Sequence, residues 1–157
     1  MLWCLQRVFI KSGAGRKRYN VLGALDSHSK EVLTVRSKEN INSDTVCELI
    51  DTVRQCHPNQ PVTLVMDNAR YQRCYKVMDY ATEQKIELLF LPAYSPNLNL
   101  IERLWKHLKK TCLRNRYFDC FASFQEAIDT YLDDLNTVHQ AQLDSLLTLN
   151  FQFFRKS

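Results

Sequence analysis

Residues 61–69 read PVTLVMDNA, and residues 87–102 read ELLFLPAYSPNLNLIE. In the first stretch the apolar Val62, Leu64, Val65 and Met66 run straight into Asp67-Asn68. In the second, an apolar run from Glu87 to Leu91 meets the turn-forming Pro92-Ala93-Tyr94-Ser95-Pro96-Asn97, and a helical pattern then opens with Glu102 in its first turn. Short Val- and Leu-rich runs separated by helix-like segments predict an α/β fold, with buried strands of a parallel or mixed sheet joined by crossover helices. A strand that ends in an acid puts it at the carboxyl edge of the sheet, where open sheets carry their chemistry. Two carboxylates near each other form a candidate clamp for a divalent cation such as Mg²⁺, which takes oxygen ligands and is commonly held by one or two carboxylates plus substrate phosphate.

On the N-terminal side, Met1 to Ile10 is apolar and aromatic with Arg7 interposed, as a strand or the end of a loop would be. Lys11 to Arg18 joins two glycines to four basic residues. Lys11, Arg16, Lys17 and Arg18 either contact phosphates or simply solvate a loop. Tyr19 to Leu25 and Glu31 to Arg36 are β-prone and flank Asp26-Ser27-His28-Ser29-Lys30, which predicts a hairpin with Asp26 as a turn residue. Ser43-Asp44 opens a helix with Val46, Leu49, Ile50 and Val53 on its apolar side, ended by His57-Pro58-Asn59-Gln60. A second helical pattern runs from Arg70 to Gln84, with Tyr71, Cys74, Val77, Met78 and Ala81 directed inward.

Asn99 to Arg114 carries the clearest helical signal, because Leu100, Ile101, Leu104, Trp105, Leu108 and Cys112 make one apolar face. Glu102, Lys106 and Lys109 share another, and Trp105 reads as core. Ser123 to about Asn136 is amphipathic, and its acids Glu126, Asp129, Asp133 and Asp134 read as a solvated face. The apolar tail from Leu143 to Phe154 either packs on the core or forms a partner surface.

A chain of 157 residues is one domain's worth, and 45% apolar with 24% charged residues is an ordinary globular composition. A net charge of +4 permits a nucleic-acid partner without requiring one. The six cysteines include no Cys-x-x-Cys pair and no zinc-finger spacing with histidine, which argues against structural zinc. With no secretory signal, reduced thiols in a cytoplasmic compartment are expected. No apolar run is long enough to span a bilayer, so no membrane partner is expected.

Each acid of the central stretch has a bland account when taken alone. Asp67-Asn68 could merely end a strand, and Asn99-Leu100-Ile101-Glu102 fits a capping box, with Glu102 also able to pair with Lys106 one turn later. Capping does not explain why both acids stand at one predicted edge. Moreover, LVMDNARYQ (64–72) followed by LLFLPAYSPNLNLIERLWKHLKK (88–110) resembles the DDE-type transposases of bacterial insertion sequences related to the Tc/mariner group. The 34 residues between Asp67 and Glu102 equal that group's interval between its second and third catalytic acids. Leu100 stands where relatives often have proline.

The resemblance implies a ribonuclease H-like mixed sheet with flanking helices. It implies Asp67 and Glu102 as catalytic metal ligands for Mg²⁺ or Mn²⁺, two ions in the intact enzyme, that cleave DNA at transposon ends and transfer the strand to target DNA. Tyr94, Ser95 and Asn97 would line the edge, and Lys106 and Lys109 would meet the DNA backbone. Further partners would be a second copy of the chain or a full-length transposase, in a nucleoid-associated setting.

The family's first acid lies mid-strand in the opening strand, ahead of the hairpin, yet Met1 to Arg18 holds no Asp or Glu. The expectation is therefore a single partial DDE catalytic domain over residues 1–157. It would be truncated at its N terminus, lack the first strand and the upstream helix-turn-helix domain, and be inactive or incomplete. Two alternatives stay open: a non-catalytic remnant that binds DNA or associates with a transposase, and a metal-dependent nuclease on the same fold.

Overall fold

Strand β3 (Arg18–Asp26) alternates its side chains so that each face of the sheet acquires a core. Tyr19, Val21 and Leu25 face one way, and Leu22 and Ala24 the other. The computed structural model describes residues 2–4, 8–11, 17–92 and 99–147, with the first two stretches as backbone only. Hairpin Asp26–Glu31 turns β3 into β4 (Val32–Ser37), and the Asp26 side chain accepts the His28 amide at 2.7 Å, as the turn reading expects. Next come α1 (Ser43–Cys56), β5 (Val62–Met66), α2 (Tyr75–Glu83) and β6 (Ile86–Phe90). After these, α3 (Ile101–Leu108) runs into a π-helical turn (Lys109–Leu113), followed by α4 (Phe121–Asp133) and α5 (Gln140–Leu146).

The N-terminal segment occupies the central place between β3 and β5, without the acid expected mid-strand in the family's first strand. Leu2–Cys4 forms β1, which pairs antiparallel with β3 and parallel with β5. Val8–Lys11 forms β2, which continues along the same edge of β3. Their registers with β3 differ by one residue (Leu2↔Asp26, but Lys11↔Arg18). Unpaired peptide groups on β3 and β5 would be costly, and any extended segment can satisfy them, whatever its side chains. The sheet order is therefore β4-β3-β1-β5-β6, with β1 in the central place.

On one face, α1 and α2 cover Leu22, Ala24, Val35, Val62, Leu64, Met66 and Ile86. All four predicted positions of α1 (Val46, Leu49, Ile50 and Val53) are buried, and Asn42 and Thr45 complete a capping box at its start. Helix α2 begins five residues later than the periodicity predicts, because residues 70–74 form turns; Met78, expected inside, is exposed. No described helix is long and apolar enough to cross a membrane.

The opposite face carries α3, α4 and α5. The six apolar positions predicted for α3 and its continuation are all buried, Trp105 among them. Of the acids predicted to form a solvated face, Glu126 and Asp133 are exposed, whereas Asp129 is partly buried. Asp129 accepts from the Tyr19 hydroxyl and from Arg36 at 3.2 Å, and Asp133 from Arg36 at 2.6 Å, which ties α4 to the hairpin. In the predicted apolar tail, Leu143, Leu146 and Leu147 pack on this core, and residues 148–154 lie outside the described residues.

Gly23 sets how closely α3 approaches the sheet. A Cβ there would lie 2.8 Å from Trp105 Cζ2 and 3.1 Å from Ile101 Cδ1, closer than carbon atoms pack. Trp105 is only 2% exposed and cannot swing away. Gly23→Ala is therefore expected to lower stability by about 1–3 kcal/mol, the usual cost of overpacking, measured by urea denaturation. Gly23→Ala combined with Trp105→Phe should recover part of that loss.

Candidate functional site

Asp67 follows the last residue of β5, and Glu102 lies in the first turn of α3. Because β1 runs parallel to β5 and antiparallel to β3, the ends of β5 and β6, the end of β4 and the start of β3 all lie at one edge. Both acids stand at this edge. Asp26, at the far end of β3, belongs to the opposite one.

Asn99 connects the two acids. Its Nδ2 donates to Asp67 Oδ1 at 3.0 Å, and its carbonyl oxygen accepts the Glu102 amide at 3.2 Å. A carboxylate only accepts, so the nitrogen end of the amide has to face Asp67. The capping-box reading fails on this bond: no side chain caps α3, and Asn99 is committed to the strand instead.

Glu102 is 8% exposed, deeper than a solvent-facing partner of Lys106 would be. The Lys106 ammonium stands 4.0 Å from Glu102 Oε2 but is itself largely exposed, so the pair contributes little. Burial raises the Asp67 carboxyl above the usual aspartate range, and the Asn99 hydrogen bond only partly opposes it. Asn99 Oδ1 is buried with no partner among the described residues.

Arg73, inside the stretch expected to be helical, contributes from the turn before α2. Its guanidinium donates to Asn68 at 3.3 Å and stacks over the Phe90 ring. Lys17 and Arg18 are exposed at the start of β3, and Lys109 is exposed on the π-helical turn. The side chain of Lys11 and the whole of Arg16, Tyr94, Ser95 and Asn97 lie outside the described residues. Among the described residues no three His, Cys, Asp or Glu side chains gather as a metal site.

The sequence profile of the DDE superfamily endonucleases matches residues 6–125. The chain belongs to this family. The chain is 31% identical over 144 residues to the Tc3 transposase of Caenorhabditis elegans, covering 89% of the chain and 43% of that protein. It is 28% identical over 101 residues to the 39 kDa protein of insertion element IS630 from Shigella sonnei, covering 63% of the chain and 29% of that protein. The DDE chain thus spans less than half the length of these relatives.

Among solved structures, the catalytic domain of the Mos1 mariner transposase superposes with a TM-score of 0.64 at 16% identity, over 96% of this chain and 82% of that one. The catalytic core of BIV integrase gives 0.57 at 15%, over 89% and 93%. These likenesses establish the ribonuclease H-like fold. The Mos1 domain has been solved with Mn and with Mg, and Mos1 also in a strand transfer complex.

The sequence offers only an indirect signal for Asn99, its place three residues before Glu102, and none for Arg73. Since Asp67 has a raised carboxyl pKa, its ionised form costs stability at neutral pH, and this cost disappears below about pH 3.9, where the unfolded chain is protonated too. Asp67→Asn is expected to melt at or above the wild-type temperature at pH 7 without metal. Asn99→Leu, which strands the carboxylate, should cost about 1–3 kcal/mol. Thermal unfolding of both variants with EDTA checks this pair of opposite signs.

Proposed function

We propose that the chain is the catalytic region of a transposase, in which Asp67 and Glu102 hold a divalent ion against DNA at this edge of the sheet. The supporting observation is Asn99, a buried residue whose side-chain Nδ2 donates to the strand-end acid and whose backbone carbonyl accepts the backbone N–H of the helix acid. The donor set fits Mg²⁺ or Mn²⁺: two carboxylates supply hard oxygen ligands and leave positions for water and a phosphate oxygen. A cation would also relieve the desolvation that raises Asp67.

Bound divalent ions supply Lewis-acid activation of water or a 3′ hydroxyl and neutralise charge at the phosphate. The residues of the chain position the participants. Asn99 fixes the rotamer of Asp67, burial holds Glu102 in place, and Arg73, Lys106 and Lys109 offer cations to the phosphate backbone without reading sequence.

Every Asp and Glu of the sequence lies among the described residues, yet no third acid joins the pair. A three-carboxylate site would therefore draw its third acid from outside these 157 residues. The same observation favours a second reading, in which the chain alone binds DNA in a salt-sensitive, metal-independent way and does not cut it.

The decisive titration is Mn²⁺ into the chain. Weak binding is expected, at least tenfold weaker again in Asp67→Ala and in Glu102→Ala, with circular dichroism unchanged. An Mn²⁺ affinity that survives both substitutions refutes the assignment. Metal-dependent nicking of labelled DNA, lost in both variants, would mean that two carboxylates suffice.

A further inference from the structure

On the same edge of the sheet, across β1 and β2 from Asp67, a cleft of about 760 Å³ opens between the start of β3, the loop from β4 to α1, and the first residue of α4. Neither Asp67 nor Glu102 is among the residues that line it. Among the described residues that line it, Lys17, Arg18 and Lys38 bring three cations against one acid, Glu39. Phe121 forms an aromatic wall, half-buried on Phe124 at a centroid separation of 6.0 Å, with the Lys17 ammonium 5.7 Å above its ring.

The other wall is held in place before any ligand arrives. Asn20, 1% exposed, donates to the Glu39 carbonyl at 2.7 Å, and Ser37 Oγ accepts the Glu39 amide at 3.0 Å. Asn42 closes the loop by capping α1. A cleft that keeps its shape, with cations beside an exposed aromatic edge, suits a ligand with both phosphate and a flat π-face. Its size is that of a small-molecule pocket, which admits a nucleotide or two and not a duplex.

We propose that this cleft is a second DNA subsite that takes a single strand, with phosphates against Lys17, Arg18 and Lys38 and a base against Phe121. The proposal rests on the reading of the Asp67–Glu102 edge as the place where DNA is handled. Two strand spacings separate β3 from β5, about 10 Å. At roughly 3.4 Å per step along a strand, that is on the order of three nucleotides. The near wall of the cleft, at the start of β3, stands on the same edge as the acids, so a strand leaving the acids along that edge runs toward it.

The test is fluorescence anisotropy with a labelled 20-residue single strand and the matching duplex, in EDTA, across a salt series. Lys17→Ala/Lys38→Ala is expected to weaken single-strand binding at least tenfold. It should also reduce the slope of log affinity against log salt by about 1.4, the share of two phosphate contacts on a single strand. Phe121→Leu keeps an apolar contact for Phe124 and should weaken the single strand by about 5- to 150-fold, the range for one stacked base, and the duplex by less than about threefold.

Wild-type affinity in the double variant overturns the proposal, as does an equal loss for both DNAs in Phe121→Leu. Displacement of the strand by polyglutamate at equal charge would also overturn it, by assigning the cleft to acidic peptides. Because EDTA removes metal from the assay, these outcomes are independent of the ion site. That site stands or falls separately on the Mn²⁺ titration of Asp67→Ala and Glu102→Ala.

Discussion

The indole of Trp105 lies directly over Gly23, and most of the geometry at the acid edge follows from that contact. A strand residue without a side chain lets α3 settle onto β3 more closely than any other residue allows. One turn before Trp105, Ile101 touches the same glycine. The start of the helix is thereby fixed, and with it Asn99 and Glu102. The site is positioned by apolar packing on one strand and used by a carboxylate on another.

Asn99 shows how one residue type serves two purposes that a sequence cannot separate. Before a helix, an asparagine ordinarily accepts a backbone amide and ends there. Here the helix start goes without a side-chain cap, and the amide instead donates to a half-buried carboxylate 32 residues away. That choice gives up local helix stability for a fixed acid. Asp67 remains poorly solvated, which is a cost to the chain by itself and, on the proposed reading, an advantage for a cation arriving there.

The parts of the fold that were legible in the sequence are those set by short-range pattern. The hairpin around Asp26, the buried face of α1 and the apolar stripe of α3 follow from periodicity and turn chemistry, and the structure has them. What escaped depends on partners distant in the chain. The acids of α4 read as solvated because nothing nearby opposes them, yet Arg36, 93 residues before Asp129, pairs with two of them. Met78 fits a helical stripe that begins at Arg70; with the helix starting at Tyr75, only Val77 and Ala81 of α2 are buried. For the candidate site, strand-end and helix-start positions of the two acids were readable, whereas the burial of Glu102 and the roles of Asn99 and Arg73 were not.

Strand β1 has a further mechanical consequence. The sheet has two halves, β3–β4 and β5–β6, and among the described residues the cluster on the α3 side draws its strand residues from the first half, Tyr19, Val21, Leu25 and Val32. Three residues, Leu2–Cys4, form the seam between them, reinforced by α1 and α2 on the other side. Asp67 rides on one half, while Glu102 rides on the other through α3. The spacing between the two carboxylates therefore depends on that seam and on the Asn99–Asp67 bond across it, and, on the proposed reading, an ion held by both would act as a rivet. Ligand occupancy and sheet rigidity would then rise together, each reporting on the other.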